Sequence, residues 1–224
     1  MLNVTRFVSF YFAHSTSKAM WPHFARVFSV DGTGVTSFFK GAILGAVCND
    51  ANHHLVGLAF LYCRSEDERN VKLFYELLTS DYPGITGSLA VIDKGAGLTS
   101  ATATVGIPSA TCEFHVKKDV RDGFPRVSTA FLEQVAVVAR ASSEDDLAHA
   151  LYTLRKLGTN TPGAYEYIYG RRGEFASFDL LHRDPPVFRL GRITSCCESL
   201  WKMCQSAKKM GPISMCLTIL GFQR

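Results

Sequence analysis

The sequence predicts an α/β domain built on a mixed sheet, and three observations carry that expectation. Three apolar runs separated by turn residues follow one another across residues 26–63. Helical and extended patterns then alternate across residues 65–116, and beyond Pro125 apolar residues recur mainly at helical spacing. With 224 residues, 47% of them hydrophobic, the chain can bury one core of ordinary size and is short for two full domains.

Taken in order, residues 26–30, 42–48 and 55–63 read as strands. Turn signals lie at Asp31-Gly32 and at Asn49-Asp50-Ala51-Asn52. Connections this short imply an antiparallel meander. Ser65 caps the next element, Glu68 completes a capping box, and Val71, Phe74, Leu77 and Leu78 supply an apolar helical face that ends at Tyr82-Pro83-Gly84. Residues 88–92 form a fourth strand running into Asp93, residues 98–105 a helix, and residues 111–116 a fifth strand. Residues 130–141 are helical. Ser143 caps another helix, whose stripe of Leu147, Ala150, Leu151, Leu154 and Leu157 stops at Gly158. A short helix is expected at residues 165–169. A last one follows Thr194-Ser195 and carries Leu200, Met203, Ala207 and Met210 before Gly211-Pro212.

Three hairpin strands, then helix, strand, helix and strand, form the order of a ribonuclease-H-like core. In such a core the first and fourth of these strands are central neighbours, so acids at their ends converge. Asp31 and Asp93 stand at those two ends. The expected division is a lead-in over residues 1–25, a first part of the core over 26–120, a helical insertion over 121–190, and a C-terminal core helix over 191–224 that carries Glu198.

Asp31, Asp93 and Glu198 are the candidate catalytic and metal-ligating residues. Shared carboxylates of this kind hold two Mg²⁺ or Mn²⁺ ions, which suits in-line displacement at a phosphodiester. Each has a plainer reading. Asp31 opens an Asp-Gly turn, Asp93 precedes Lys94-Gly95 as a loop residue, and Glu198 completes a Ser195-x-x-Glu198 capping box. Cys112 and His115, in Cys-Glu-Phe-His at the end of the fifth strand, fit either half of a zinc site or simple packing of a buried thiol and a hydrogen-bonded imidazole. His53-His54 lies in a turn and reads as surface. A phosphohydrolase with Asp31 as nucleophile is disfavoured, because the position two residues before the Asp of Asp-Gly-Thr is Ser29 rather than a carboxylate.

No apolar stretch approaches the roughly 20 residues that cross a bilayer, since the run over residues 7–13 is broken by Ser9. The chain is therefore expected to be soluble. Seven cysteines, an odd number with no Cys-x-x-Cys, favour a reducing compartment. Charge is uneven. Residues 155–224 hold 11 Lys and Arg against 5 Asp and Glu, while residues 1–154 hold 13 against 15. A basic C-terminal third fits either a polyanionic partner or an ordinary solvated helical surface.

Several motifs, in order, resemble the transposase domain of Mutator-like elements, a DDE-type family. Val30-Asp31-Gly32-Thr33, Lys40-Gly41, Asn49-Asp50-Ala51-Asn52, Leu58-Ala59-Phe60 and Glu66 ahead of Phe74 are similar to its opening. Phe12-Ala13, Trp21 and Phe24 are similar to the lead-in to its first strand. Ile92-Asp93-Lys94-Gly95 with Gly97-Leu98 resembles its second acidic motif, and Cys112-x-x-His115 its C-x-x-H motif. Arg189-x-Gly191-x-x-Thr194-Ser195-x-x-Glu198-Ser199-Leu200 resembles the segment bearing its third acid. The resemblance runs from about residue 4 to about residue 220. It implies a recombinase whose acids Asp31, Asp93 and Glu198 bind two Mg²⁺ or Mn²⁺ ions. That enzyme would cut and join DNA at element terminal repeats and at target DNA, in the nucleus, as a possible homo-oligomer and without membrane contact.

The chain departs from the family pattern at Gly34, Cys196 and Trp201, where the family usually has polar residues. Nothing in it resembles the DNA-recognition and zinc modules of full elements. The expectation is accordingly a truncated transposase domain or, alternatively, an inactive or domesticated DNA-binding remnant.

Overall fold

The computed structural model describes residues 8–24, 26–36, 40–52, 54–93, 97–141 and 143–174. Among them are six strands and seven α-helices, an α/β architecture with one mixed sheet. In chain order these are β1 (Ser9–Ala13), α1 (Ser15–Met20), β2 (Val27–Val35), β3 (Gly41–Asn49), β4 (Leu55–Cys63), α2 (Glu68–Asp81), β5 (Leu89–Ile92), α3 (Leu98–Thr104), β6 (Ser109–Thr111), α4 (Glu113–Gly123), α5 (Thr129–Ala139), α6 (Glu144–Leu157) and α7 (Ala164–Gly170).

The sheet runs β1-β4-β3-β2-β5-β6. β2, β3 and β4 form the expected antiparallel meander, and β5 and β6 add in parallel on the far side of β2. β3 and β4 are apolar along most of their length and buried on both faces, the pattern of strands inside a sheet rather than at its rim. One face packs against α2 and α3. Phe28, Val30, Leu44, Ala46, Ala59, Leu61, Ala90 and Ile92 meet Val71, Phe74, Tyr75 and Leu78, the i, i+3, i+4, i+7 stripe of α2. A separate apolar cluster joins Val116 and Val120 of α4 to α5, α6 and α7 through Phe131, Val135, Leu151, Leu154 and Ile168.

The structure departs from the sequence expectation at four places. The apolar run at the N-terminus is not only a lead-in, because Ser9–Ala13 pairs antiparallel with β4 as an edge strand. The Asp31-Gly32 pair is not a turn. β2 continues to Val35, with Asp31 opposite Gly45 and Gly32 opposite Leu44. The cap of α2 is Asp67 rather than Ser65. Its carboxylate accepts from Asn70 N at 2.9 Å, and Ser65 instead donates to Asp67.

The fourth departure touches the site. The fifth strand ends at Thr111, and Cys112 is the N-cap of α4, not a strand residue. Val116 and Val120 stand four residues apart on the buried side, and Glu113 pairs with Lys117 at i+4, both helical relationships. The alternation of Cys112, Phe114 and Val116 imitates a strand over too few residues to tell the two apart. Elsewhere α5, α6 and α7 lie where helical spacing placed them, and Ser143 caps α6 by accepting from Asp146 N.

Candidate functional site

β2 and β5 are parallel neighbours with Val30 opposite Ile92. The next residue along each chain segment is an aspartate, so Asp31, inside β2, and Asp93, just past the end of β5, are neighbours across strands roughly 4.8 Å apart. This is the convergence expected from the order of elements. Asp31 Oδ1 also accepts from Gly32 N at 2.9 Å.

A third carboxylate joins them from the connection between β4 and α2. Glu66 directly precedes the Asp67 cap, and its carboxylate lies against Gly32, in the space where a β-carbon would stand. Burial pushes its pKa up, and the charges of Asp31 and Asp93 push it further the same way. Glu66 belongs to the segment that resembles the family opening, but the sequence assigned it no role. A polar Ser-Glu-Asp-Glu stretch ahead of a helix looks like capping and solvated charge, and nothing local shows that the loop folds back over β2.

The first turn of α4 closes another side. Cys112 is buried, and its thiol is pushed up to about 11, first by burial and further by Asp31 and Asp93, against backbone N–H groups of His115 and Phe114 that favour the thiolate. With no metal bound it is a neutral thiol at physiological pH. His115 Nε2 stands 3.7 Å from Asp93 Oδ2, close for charge but long for a direct hydrogen bond. Its Nδ1 is buried with no hydrogen-bond partner among the described residues.

Glu198 lies outside the described residues, as do residues 191–224 expected to form the last core helix. Among the described residues no group of three or more His, Cys, Asp or Glu side chains is arranged to hold a metal ion. Asp31, Asp93 and Glu66 are therefore electrostatic neighbours rather than a ready coordination cage. His54 is on the surface, as expected, its Nδ1 3.1 Å from Asp50 Oδ2. Among the described residues, no helix is long and apolar enough to cross a membrane.

Comparison of the chain with protein-family models gives no match, and comparison with curated proteins gives none either.

Proposed function

We propose that this chain is a ribonuclease-H-like catalytic domain of a DDE-type DNA transposase, similar to those of Mutator-like elements, that cleaves DNA strands and transfers them. The observation that carries the reading is the adjacency of Asp31, inside β2, and Asp93, just past the end of the parallel neighbour β5. The sheet order supports it, since the antiparallel meander of β2, β3 and β4, continued beyond β2 by parallel β5 and β6, is the arrangement in which those two acids meet.

In this reading the carboxylate oxygens would take a hard divalent cation. Two adjacent aspartates, with a Glu66 whose proton affinity their charges raise, form a concentration of negative charge that Mg²⁺ or Mn²⁺ would discharge. Asp31 and Asp93 would hold two such ions, with Glu198 as the third acid that the family resemblance implies. When bound, ions of this kind activate an attacking water or 3′-hydroxyl and stabilise the leaving oxygen. Asp31 is fixed by its place inside β2 and by the Gly32 N–H, so its carboxylate needs little reordering to take up a ligand. Cys112 stands buried at the N-cap position of α4.

In this reading the partners are element terminal repeats and target DNA, the chain works in the nucleus, and a homo-oligomer would bring two ends together. The test is nicking and strand transfer of labelled DNA with Mg²⁺ or Mn²⁺, comparing the chain with Asp93→Asn. Metal-dependent products, reduced at least about a thousandfold in the variant, are expected. Absence of product from folded wild-type protein that still binds DNA would instead describe a catalytically inactive, DNA-binding remnant.

A further inference from the structure

One exposed aromatic side chain stands at the rim of the acidic site and has no part in the core. Phe114 is 38% exposed on the first turn of α4, two residues after buried Cys112. Its ring meets that of His115 edge to face, with centroids 5.4 Å apart and an angle of 82° between the planes. His115 in turn reaches to 3.7 Å from Asp93, which places Phe114 one imidazole away from the carboxylates.

Two cations continue that side of the helix. α4 buries Glu113, Val116 and Val120, so Phe114 points away from the packed stripe. Exposed Lys118 and Arg121 follow it at i+4 and i+7, on the same side and leading away from the acids. Asp119 is turned elsewhere, toward Arg171 and Tyr167, while exposed Asp122 follows Lys118 at i+4, beside Arg121. An aromatic face beside a phosphodiester site, continued by two cations at helical spacing, matches a nucleic-acid strand whose base is unstacked and whose phosphates run on along the helix. A fully paired duplex offers no free base face to such a ring.

We infer that Phe114 is a base-stacking residue and that the substrate class of this site is DNA with an unpaired or splayed nucleotide next to the scissile phosphate. The inference rests on the proposed function. The strand enters with one base on Phe114, and Lys118 and Arg121 hold the phosphates that follow.

The experiment measures binding of the full chain to fluorescent oligonucleotides in Ca²⁺. Its substrates are a single strand, a fully paired duplex, and single strands carrying one abasic nucleotide at successive positions. The wild type is expected to prefer the single strand and to lose affinity at one abasic position. Phe114→Ala should lose from about fivefold to about a hundredfold in single-strand affinity and become indifferent to that abasic position, while Phe114→Trp restores both properties. Circular dichroism of each variant separates a lost stack from a lost fold. Equal binding of single strand and duplex, unchanged in Phe114→Ala, overturns the stacking role and leaves the proposed function standing. Failure of folded wild-type protein to bind any of these DNAs overturns the proposed function and the inference with it.

Discussion

The carboxylate of Glu66 fills the place a side chain on Gly32 would take. A β-carbon built on Gly32 overlaps the carboxylate and comes within 2.7 Å of its Oε1. Gly32 therefore lets a loop acid lie against β2 beside Asp31, and the third negative group of the cluster depends on a missing methyl.

Removing the charge of Glu66 should stabilise the metal-free protein at neutral and alkaline pH. Its folded-state pKa is raised by burial and by Asp31 and Asp93, so the folded state holds its proton more tightly than the unfolded state. Glu66 thus favours folding most at low pH, and that contribution is lost as pH rises through the raised pKa. Glu66→Gln should raise the thermal midpoint above that pKa, with the gain shrinking as pH falls toward the ordinary carboxylate range. Gly32→Ala should displace the flexible carboxylate, so that adding Glu66→Gln to it changes the midpoint little. Thermal melts of the two single variants and the double variant across pH 4–8 check the coupling.

Divalent metal should act in the same direction on this cluster, by neutralising its charge. Binding to the folded state alone stabilises by mass action, about 2.7 kcal/mol at a hundredfold excess over the dissociation constant, or several degrees for a domain of this size. Mg²⁺ or Mn²⁺ should therefore raise the midpoint of the wild-type chain, and Asp31→Asn or Asp93→Asn should abolish the rise while leaving the metal-free melt cooperative. A midpoint indifferent to metal in the wild type would argue against these aspartates as ligands.

How much of this was legible in the sequence follows from how local each signal is. The meander, α2 and the helices of residues 129–170 declared themselves through apolar periodicity, and the adjacency of Asp31 and Asp93 followed from element order. The Asp31-Gly32 turn did not survive, because turn propensity is a local prior and β3 offers this segment a complete set of strand partners. Glu66 was missed because its role is created by a loop folding onto Gly32, a contact with no sequence period. The Cys112-to-His115 motif was found but placed on a strand, when its geometry comes from the first turn of α4.

Tyr82 should matter to the fold more than its position at the end of α2 suggests. Its hydroxyl is buried and donates to Leu58 O at 2.5 Å, and its ring meets Trp21 edge to face at 5.6 Å. Burial raises the phenol's pKa, followed by the effect of Asp81, so the group stays a neutral donor throughout the working range. Tyr82→Phe keeps the ring and leaves the Leu58 carbonyl without this partner, at an expected cost of about 1–2 kcal/mol. Urea unfolding with an unchanged slope checks that estimate.

Arg140 should support the site from a distance. Glu113, next to the Cys112 cap, keeps only 7% of its side chain exposed and is held by Arg140 through Nε to Oε2 at 2.8 Å and NH2 to Oε1 at 3.0 Å, with Lys117 at 3.1 Å. The pair ties the start of α4 to the end of α5. Arg140→Ala leaves a buried carboxylate with one cation in place of two. Because Arg140 is itself half exposed and Lys117 remains, the expected cost is about 1–2 kcal/mol rather than the larger loss of a fully orphaned charge. Arg140→Ala combined with Glu113→Gln should recover part of it, since the neutral amide no longer needs the cation. Urea unfolding of the two single variants and the double variant measures the coupling. Hydrogen exchange at the amides of Phe114 and His115 reports whether the first turn of α4 loosens when Arg140 is removed, as the tie to α5 requires.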